Sequence, residues 1–528
     1  MRTRRTSFKY AALLLTISLM LTACKGAEQG PDASDYGTDG SYKFGKKLSI
    51  TAFHAGAYNP QAQMPEREND PIRQLLEKSV HVELNLIIPP SGKKEAMLNS
   101  LIGSGDIPDM IFMPTRESAI QYYDQGIITD LDSYLKDYTA LQGHFKQSEW
   151  EAMKYKGKTI GTPGYELLGS TRSWWIRNDW LMNLGLKQPT TADELLNVMK
   201  AFTYNDPDGN GKKDTYGFIA GVSKDGNLVA QGWGQVFWLF GVNPHTVDSK
   251  DGKLIFGSTD TRMKAALSFI VKMMDAGVVD PEWLAVNDAP ALDAKMISGK
   301  IGILSNDWRR MEHSYQQKMM ETTGSVPDWT VIPPVTGPFG DQTIGLREIQ
   351  NNSWAISKKA ANDPEKVQRI LSLLTYWYTD KAFYPWASYG IKGVGWDVDD
   401  GKIQRLTETS AYRESAAKYT WTSNYALPRR ADDALFFNFD DERTSKFQKI
   451  NQQYVRENRV MPYLLPDPSD SLYLERKTYM NEMILKFMLG KEPLSNWDTY
   501  LETLDGKYQY AQYKEIVSNQ WNEAGNRE

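Results

Sequence analysis

Within Leu98–Met113, LNSLIGSGDIPDMIFM, a helix hands over directly to a strand. Lys93 to Ile102 reads as a helix, and Gly103 and Gly105 end it. Asp109-Met110-Ile111-Phe112-Met113 then reads as a buried strand, with no polar residue after Asp109 to mark a wet face. Upstream, Leu48 to Phe53 alternates apolar and polar residues as a strand does, Pro71 to Val80 suits a helix, and Val82 to Ile88 a second strand. Strands alternating with helices argue for a parallel sheet wound by crossovers. In open sheets of that kind ligands bind beyond the carboxyl ends of the strands, so the loops after Phe53 and Met113 are the first places to look for function.

The same grammar restarts further along. Arg172 to Arg177 is strand-like and Ala192 to Phe202 helical. Lys300 to Leu304, Trp329 to Ile332 and Ser353 to Ser357 are short strands, and Pro364 to Tyr378 is a helix. Tyr473 to Phe487 and Trp497 to Asn522 form an amphipathic helical tail. The 528 residues exceed what one core holds, so two lobes are expected, and no internal repeat is visible.

With 41% hydrophobic and 24% charged residues the chain is of globular composition. A formal net charge of −5 argues against nucleic acid as a partner, because phosphate binding needs a basic face. The 16 Trp and 28 Tyr suit a protein that stacks on flat apolar surfaces such as sugar rings. At the N-terminus Arg2, Arg4, Arg5 and Lys9 precede the apolar run Ala11 to Leu21, followed by Leu21-Thr22-Ala23-Cys24. This is the layout of an export signal, and LTAC resembles a bacterial lipobox whose Cys24 becomes the lipidated N-terminus; an ordinary secretory peptide is the other reading. Cys24 is the only cysteine, so it has no disulfide partner within the chain. Residues 1–23 are thus expected to be a lipoprotein signal peptide and 24–46, rich in Gly, Ser, Asp and Lys, a flexible tether. No later apolar run is long enough for a transmembrane helix.

Several segments together resemble the extracellular solute-binding proteins of ABC importers, in particular the large LipO-like sugar-binding lipoproteins of Gram-positive bacteria. They are Leu98 to Asp109, Ile128-Thr129-Asp130-Leu131-Asp132, Ile176 to Leu181 with Gly185-Leu186, and Trp354 to Ala360. Tyr389 to Trp396 is another, as is Gly299-Lys300-Ile301-Gly302-Ile303, where Gly302 replaces the usual alanine. The resemblance implies an α/β, two-lobe periplasmic-binding-protein-like fold (type II), with a central cleft between lobes joined by crossing strands. On that plan lobe 1 comprises 47–167 plus about 332–357, and lobe 2 about 168–331 plus 358–528. It implies capture of an oligosaccharide or related sugar, delivery to ABC permease subunits driven by a separate ATPase, and a monomer held by lipid on the extracytoplasmic face of the membrane.

Asn205 to Asp214, NDPDGNGKKD, has the spacing of a calcium loop. With Asp206 first, Asp208, Asn210 and Asp214 fall at the third, fifth and ninth positions. Gly211 takes the sharp turn and Lys212 offers its carbonyl. The bidentate Glu of a complete EF-hand is missing at position twelve, where Gly217 stands, and Thr215 to Ile219 reads as strand. A structural calcium site is expected, as in related binding proteins for acidic oligosaccharides; a metal-free Asx/Gly turn is the other reading. Asp397 to Gly401 and Asp440 to Glu442 lack the spacing and read as a hairpin turn and a solvated face.

Ligand contacts are sought on loops after strands. Trp308 offers a platform for a sugar ring and its neighbours Asn306 and Asp307 can bind hydroxyls. Arg116 follows the strand at 109–113 and leaves an acidic sugar open, His54 follows the first strand, and Tyr165 and Glu166 follow Gly161-Thr162-Pro163 at a crossing. Trp233 and Trp238 share a glycine-flexed helix, one expected to face the cleft and one the core. Trp396, in a glycine-rich loop, is a further candidate, with Trp174, Trp175 and Trp386 behind it. Core packing or capping is the competing reading for each. No H-E-x-x-H, G-x-S-x-G or P-loop is present. The enzyme alternative, a glycosidase or lyase on a two-lobe scaffold, rests only on carboxylates that could face each other across a cleft.

Overall fold

The structure, a computed structural model, describes residues 44–54, 65–89, 93–113, 115–164, 172–224, 226–228, 232–307, 313–347, 353–399, 401–406, 410–419, 442–458, 460–461, 464 and 470–523. In chain order the first lobe opens with β1 (Leu48–Phe53), α1 (Pro71–Ser79), β2 (Val82–Ile87), α2 (Lys94–Ser104), β3 (Met110–Met113) and α3 (Arg116–Asp124), and the short β4 (Thr162–Pro163) leaves it. The second lobe begins with β5 (Arg172–Arg177), α4 (Ala192–Tyr204), β6 (Tyr216–Ile219), α5 (Gly234–Trp238), α6 (Thr261–Asp275), β7 (Ile301–Asp307) and β8 (Trp329–Ile332). The chain then returns through β9 (Gly345–Arg347) to β10 (Ser353–Ile356) and α7 (Pro364–Thr379). It ends in α8 (Glu442–Tyr454), β11 (Val455–Glu457), α9 (Tyr473–Met488) and α10 (Tyr510–Glu523).

Both sheets are mixed rather than all-parallel, which corrects the simplest reading of the strand–helix alternation. The first runs β2-β1-β3-β10-β4 and the second β8-β5-β7-β6. β1 is parallel to β2 and β3, but β10 is antiparallel to β3. The reason is topological. β10 comes from the other lobe, enters at the edge where β3 ends (Ser353 opposite Met113), and must run back. Reversed strands at the crossings are the mark of the type II arrangement.

Alternation along β3 makes the first lobe two-sided: Met110 and Phe112 join one buried cluster with α1 and α7, while Ile111 and Met113 join a second with Leu98 and Tyr122. The stretch LNSLIGSGDIPDMIFM is locked by Asp109. Its carboxylate accepts from the Thr51 amide at 2.8 Å and from Lys366 Nζ at 2.9 Å. α2 runs on through Gly103 to Ser104, where an αL cap at Gly105 (φ 82°) ends it.

The boundary expected at residue 358 is overturned. α7 carries Val367, Ile370, Leu371 and Leu374 into the first lobe's core, and residues as far as Tyr419 stay with that cluster. The second lobe resumes with Phe447 and Ile450 of α8. A chain that has entered a sheet as β10 with both faces to cover supplies the next helix to that sheet. The expected single helix after Trp497 is two, Trp497–Lys507 and Tyr510–Glu523, broken at Gln509 (φ 51°).

Candidate functional site

The crossing segments fix where a site can lie. Pro163 ends β4 in one lobe and Arg172 begins β5 in the other, and the intervening residues span at most about 30 Å. Asp307 lies opposite Arg172, and Ile332 opposite Trp174, so β7 and β8 end at the edge where β5 begins. That edge and the Met113–Ser353 edge of the first lobe bound the gap. Within it β9 pairs in parallel with β11, Leu346 beside Arg456, making a narrow bridge.

On the first lobe's edge, His54 is not a ligand candidate. It is fully buried, its ring stacked at 5.8 Å on Phe112 and set edge-on at 5.4 Å to Trp354. Burial pushes its imidazole down to about 4, so it is a neutral core aromatic at neutral pH. Arg116 is also committed to structure. Buried at the start of α3, it donates from Nη2 to the Lys154 carbonyl at 2.7 Å and from Nη1 to the Leu464 carbonyl at 3.2 Å. A guanidinium holding two main-chain oxygens is no argument for an acidic sugar. Tyr165, Glu166 and Trp308 lie outside the described residues, as do Cys24 and the tether up to residue 43.

On the second lobe's edge Asn306 is buried, its side-chain Nδ2 against Met296 Sδ, its Oδ1 accepting from the Asp307 amide at 2.9 Å and its main-chain carbonyl accepting from Trp175 Nε1 at 3.0 Å, so it packs rather than presents. Asp307 ends β7 half-buried and remains at the rim. Trp174 and Trp175 are core, one beside Phe218 and the other stacked at 5.9 Å on Phe447. Trp233 is core too, wedged between Phe218 and Trp283. Trp238, on the same short helix, instead reaches the bridge. Its indole nitrogen lies beside Gly345, and Arg456 stands 6.0 Å over its ring. Arg456 in turn meets Asp248 at 3.2 Å. This Trp238–Arg456–Asp248 group at the bridge was not foreseen, because Arg456 and Asp248 carry no motif. Trp396 is buried in the first lobe, bonded to the Gly390 carbonyl at 2.9 Å and edge-on to Trp386; its hairpin with Lys402–Arg405 leaves it no cleft role.

The loop at 206–214 is folded as a knot of side-chain oxygens and amides. Asp206 (φ 49°) accepts from the amides of Asn210 and Gly211 at 3.1 and 3.0 Å. The Asn210 side-chain amide stands between Asp208 and Asp214, at 2.8 and 3.3 Å. Desolvation, and the nearby carboxylates of Asp206 and Asp214, raise the carboxyl of Asp208. Lys300 pairs with Asp214 at 3.1 Å and pulls its carboxyl down. Among the described residues no three His, Cys, Asp or Glu side chains are already gathered to hold a metal ion. The missing twelfth ligand has a steric cause: a Cβ on Gly217 would sit 2.3 Å from the Met199 carbonyl, because α4 lies directly on β6.

With two mixed sheets, reversed strands and a bridged gap established, the comparisons with known proteins decide the family. Residues 62–382, more than half of the chain, match the model of the bacterial extracellular solute-binding proteins. The chain belongs to that family. Among its relatives are the lipoprotein LipO of Bacillus subtilis, 25% identical over 94% of each chain, and the polygalacturonan/rhamnogalacturonan-binding protein YtcQ of the same organism. YtcQ is 25% identical over 95% of this chain and 97% of its own. Among solved structures, an EF-hand mutant of the Streptococcus pneumoniae ABC-transporter substrate-binding protein FusA, in complex with fructo-nystose, shares the fold. Its TM-score is 0.65 at 20% identity, covering 92% of this chain and 100% of that one. These are binding proteins, and the family places this chain with them rather than with glycosidases or lyases.

Proposed function

We propose that this protein is the lipid-anchored receptor of an ABC importer, capturing an oligosaccharide between its lobes and presenting the closed form to a membrane permease. The observation that carries the reading is the pair of sheet edges bounding a bridged gap, where ligands of open α/β sheets bind. The sugars named for YtcQ and FusA support carbohydrate as the ligand class. Arg2 to Cys24, ending in LTAC, supports the lipid anchor on the extracytoplasmic face, and LipO is named a lipoprotein. Among the described residues no helix is long and apolar enough to cross a membrane.

Calcium belongs to the same proposal as a structural ion. The side-chain oxygens of Asp206, Asp208, Asn210 and Asp214, with the Lys212 carbonyl, form an all-oxygen donor set suited to a hard cation, and the raised Asp208 carboxyl reports crowding that a cation would relieve. The EF-hand named for FusA supports the reading. The test is calorimetry of the full-length protein against neutral and acidic oligosaccharide series, with product analysis of the same mixtures. Binding without turnover supports the receptor. Turnover abolished by one Asp or Glu substitution, or no saccharide binding at all, overturns it.

A further inference from the structure

Beside Glu117 of α3, the residue after Arg116, lies a cavity of about 480 Å³ set mainly into the second lobe between α9 and α10. Sites for small ligands run from about 300 to 1,000 Å³, so its size suits one or more sugar rings. Its walls are unusually phenolic, with Tyr473, Tyr510 and Tyr513 all lining it. Tyr510 is buried, its hydroxyl 2.8 Å from Ser258 Oγ, and its ring lies 5.4 Å from that of Tyr513. Arg476 is fixed over the Tyr513 ring at 4.8 Å. Its guanidinium donates to the Tyr508 carbonyl at 3.1 Å and to the Asp470 carboxylate. At the mouth Tyr473 is 54% exposed.

The charge pattern narrows the ligand. Two cations, Arg476 and Lys477, share the lining with two carboxylates, Asp470 and Glu117, and Arg476 is already paired with Asp470, so the cavity has no net charge and an anion gains little. A purely apolar molecule would cover Arg476, Asp470 and Lys477 without returning their hydrogen bonds. A sugar ring offers what the lining lacks: an apolar C–H face for the tyrosines and a rim of hydroxyls for the paired polar groups.

We infer that this cavity is an accessory subsite for neutral sugar units of a longer oligosaccharide, completed from the first lobe by Glu117. The inference rests on the carbohydrate reading above. The cavity touches the cleft's first-lobe edge, since Arg116 both follows β3 and bonds Leu464, which also lines it. A saccharide long enough to leave the cleft there would gain the tyrosines, while a short one would not reach them.

The test compares full-length wild type with Tyr473→Ala and Gln520→Trp, the second filling the cavity from α10, by calorimetry against a neutral oligosaccharide series of two to about six sugar units. Thermal unfolding of each variant checks the fold. The expected result is a loss of about ten-fold or more in affinity for the longest ligands in both variants, with the shortest bound as by wild type. Tyr473→Phe should keep most of the long-ligand affinity, because the ring face is retained. Equal affinities in all proteins at every length, or the same loss at every length, overturns the subsite while leaving the receptor intact. Absence of any saccharide binding to wild type overturns both.

Discussion

Gly302 departs from the alanine usual at its position in the family's strand signature, and the structure turns that departure into a number. Gly302 lies in β7 under α4, and a Cβ built there would fall 2.2 Å from Cδ2 of Phe202. Phe202 cannot easily give way, since it is fully buried and edge-on at 5.3 Å to Trp180. Gly302→Ala should therefore overpack the core and cost about 1–3 kcal/mol. Phe202→Ala alone should cost about 3–5 kcal/mol through lost burial and the cavity left behind. In the double variant the methyl has room, so its own penalty should vanish and the total should stay near that of Phe202→Ala alone. The coupling is then favourable by about 1–3 kcal/mol, far outside the additivity seen for independent sites. Urea unfolding of the four proteins, followed by tryptophan fluorescence in the absence of ligand, measures it. Additive effects within about 0.5 kcal/mol would refute the contact as the reason for the glycine.

Three further outcomes are expected. His54, held near 4 in the fold against 6.5 unfolded, binds fewer protons in the native state. Its contribution is full above pH 6.5 and lost as pH falls towards 4, about 3 kcal/mol in all; wild type minus His54→Phe, by unfolding at each pH, should show that slope. Chelation of calcium should lower the thermal midpoint, since an ion at a hundred times its Kd adds about 2.7 kcal/mol, while the protein that remains folded still binds its sugar in calorimetry. Arg116→Met should cost about 1.5–3 kcal/mol of stability through its two lost carbonyl contacts, with the preference between acidic and neutral sugars unchanged. Selective loss of acidic ligands would restore Arg116 as a ligand residue.

Much of the fold was legible because the strands are short, apolar and framed by glycine and proline. Met110 to Met113 and Trp329 to Ile332 fall where the pattern put them. Strand direction was not, because β10 reads like any buried strand and only its arrival from the other lobe reverses it. The assignment of α7 failed for a related reason: its apolar residues at helical spacing state that it packs, not against which sheet. At the site, a residue following a strand proved a poor guide. His54 and Asn306 turn inward because the ends of central strands are themselves covered, by Trp354 and Trp377 in one lobe and by Met296 in the other. The tyrosine cavity did carry a signal. Tyr473 and Arg476, and Tyr510 and Tyr513, are pairs three apart on helices, which places each pair on one face. Only tertiary packing brings the two faces together.

The same packing explains how such a protein can close on a ligand at small cost. The rigid parts are sheets buried on both faces, Met110 against one cluster and Ile111 against another. Among the described residues the link between them is thin by comparison: β9 and β11 align over three residues each, and Lys146 meets Glu457 at 3.2 Å with both side chains about half exposed. An exposed pair of that kind contributes about 0–1 kcal/mol, so it resists lobe movement little. Arg116 is different, because a buried guanidinium parted from the Leu464 carbonyl would be left under-solvated. Glu117, next to Arg116, already lines the tyrosine cavity, so a closure that keeps this bond keeps Glu117 beside it. A ligand shifts the lobes only by the difference in its affinity for the two arrangements. Groups brought to it from both lobes are what supply that difference.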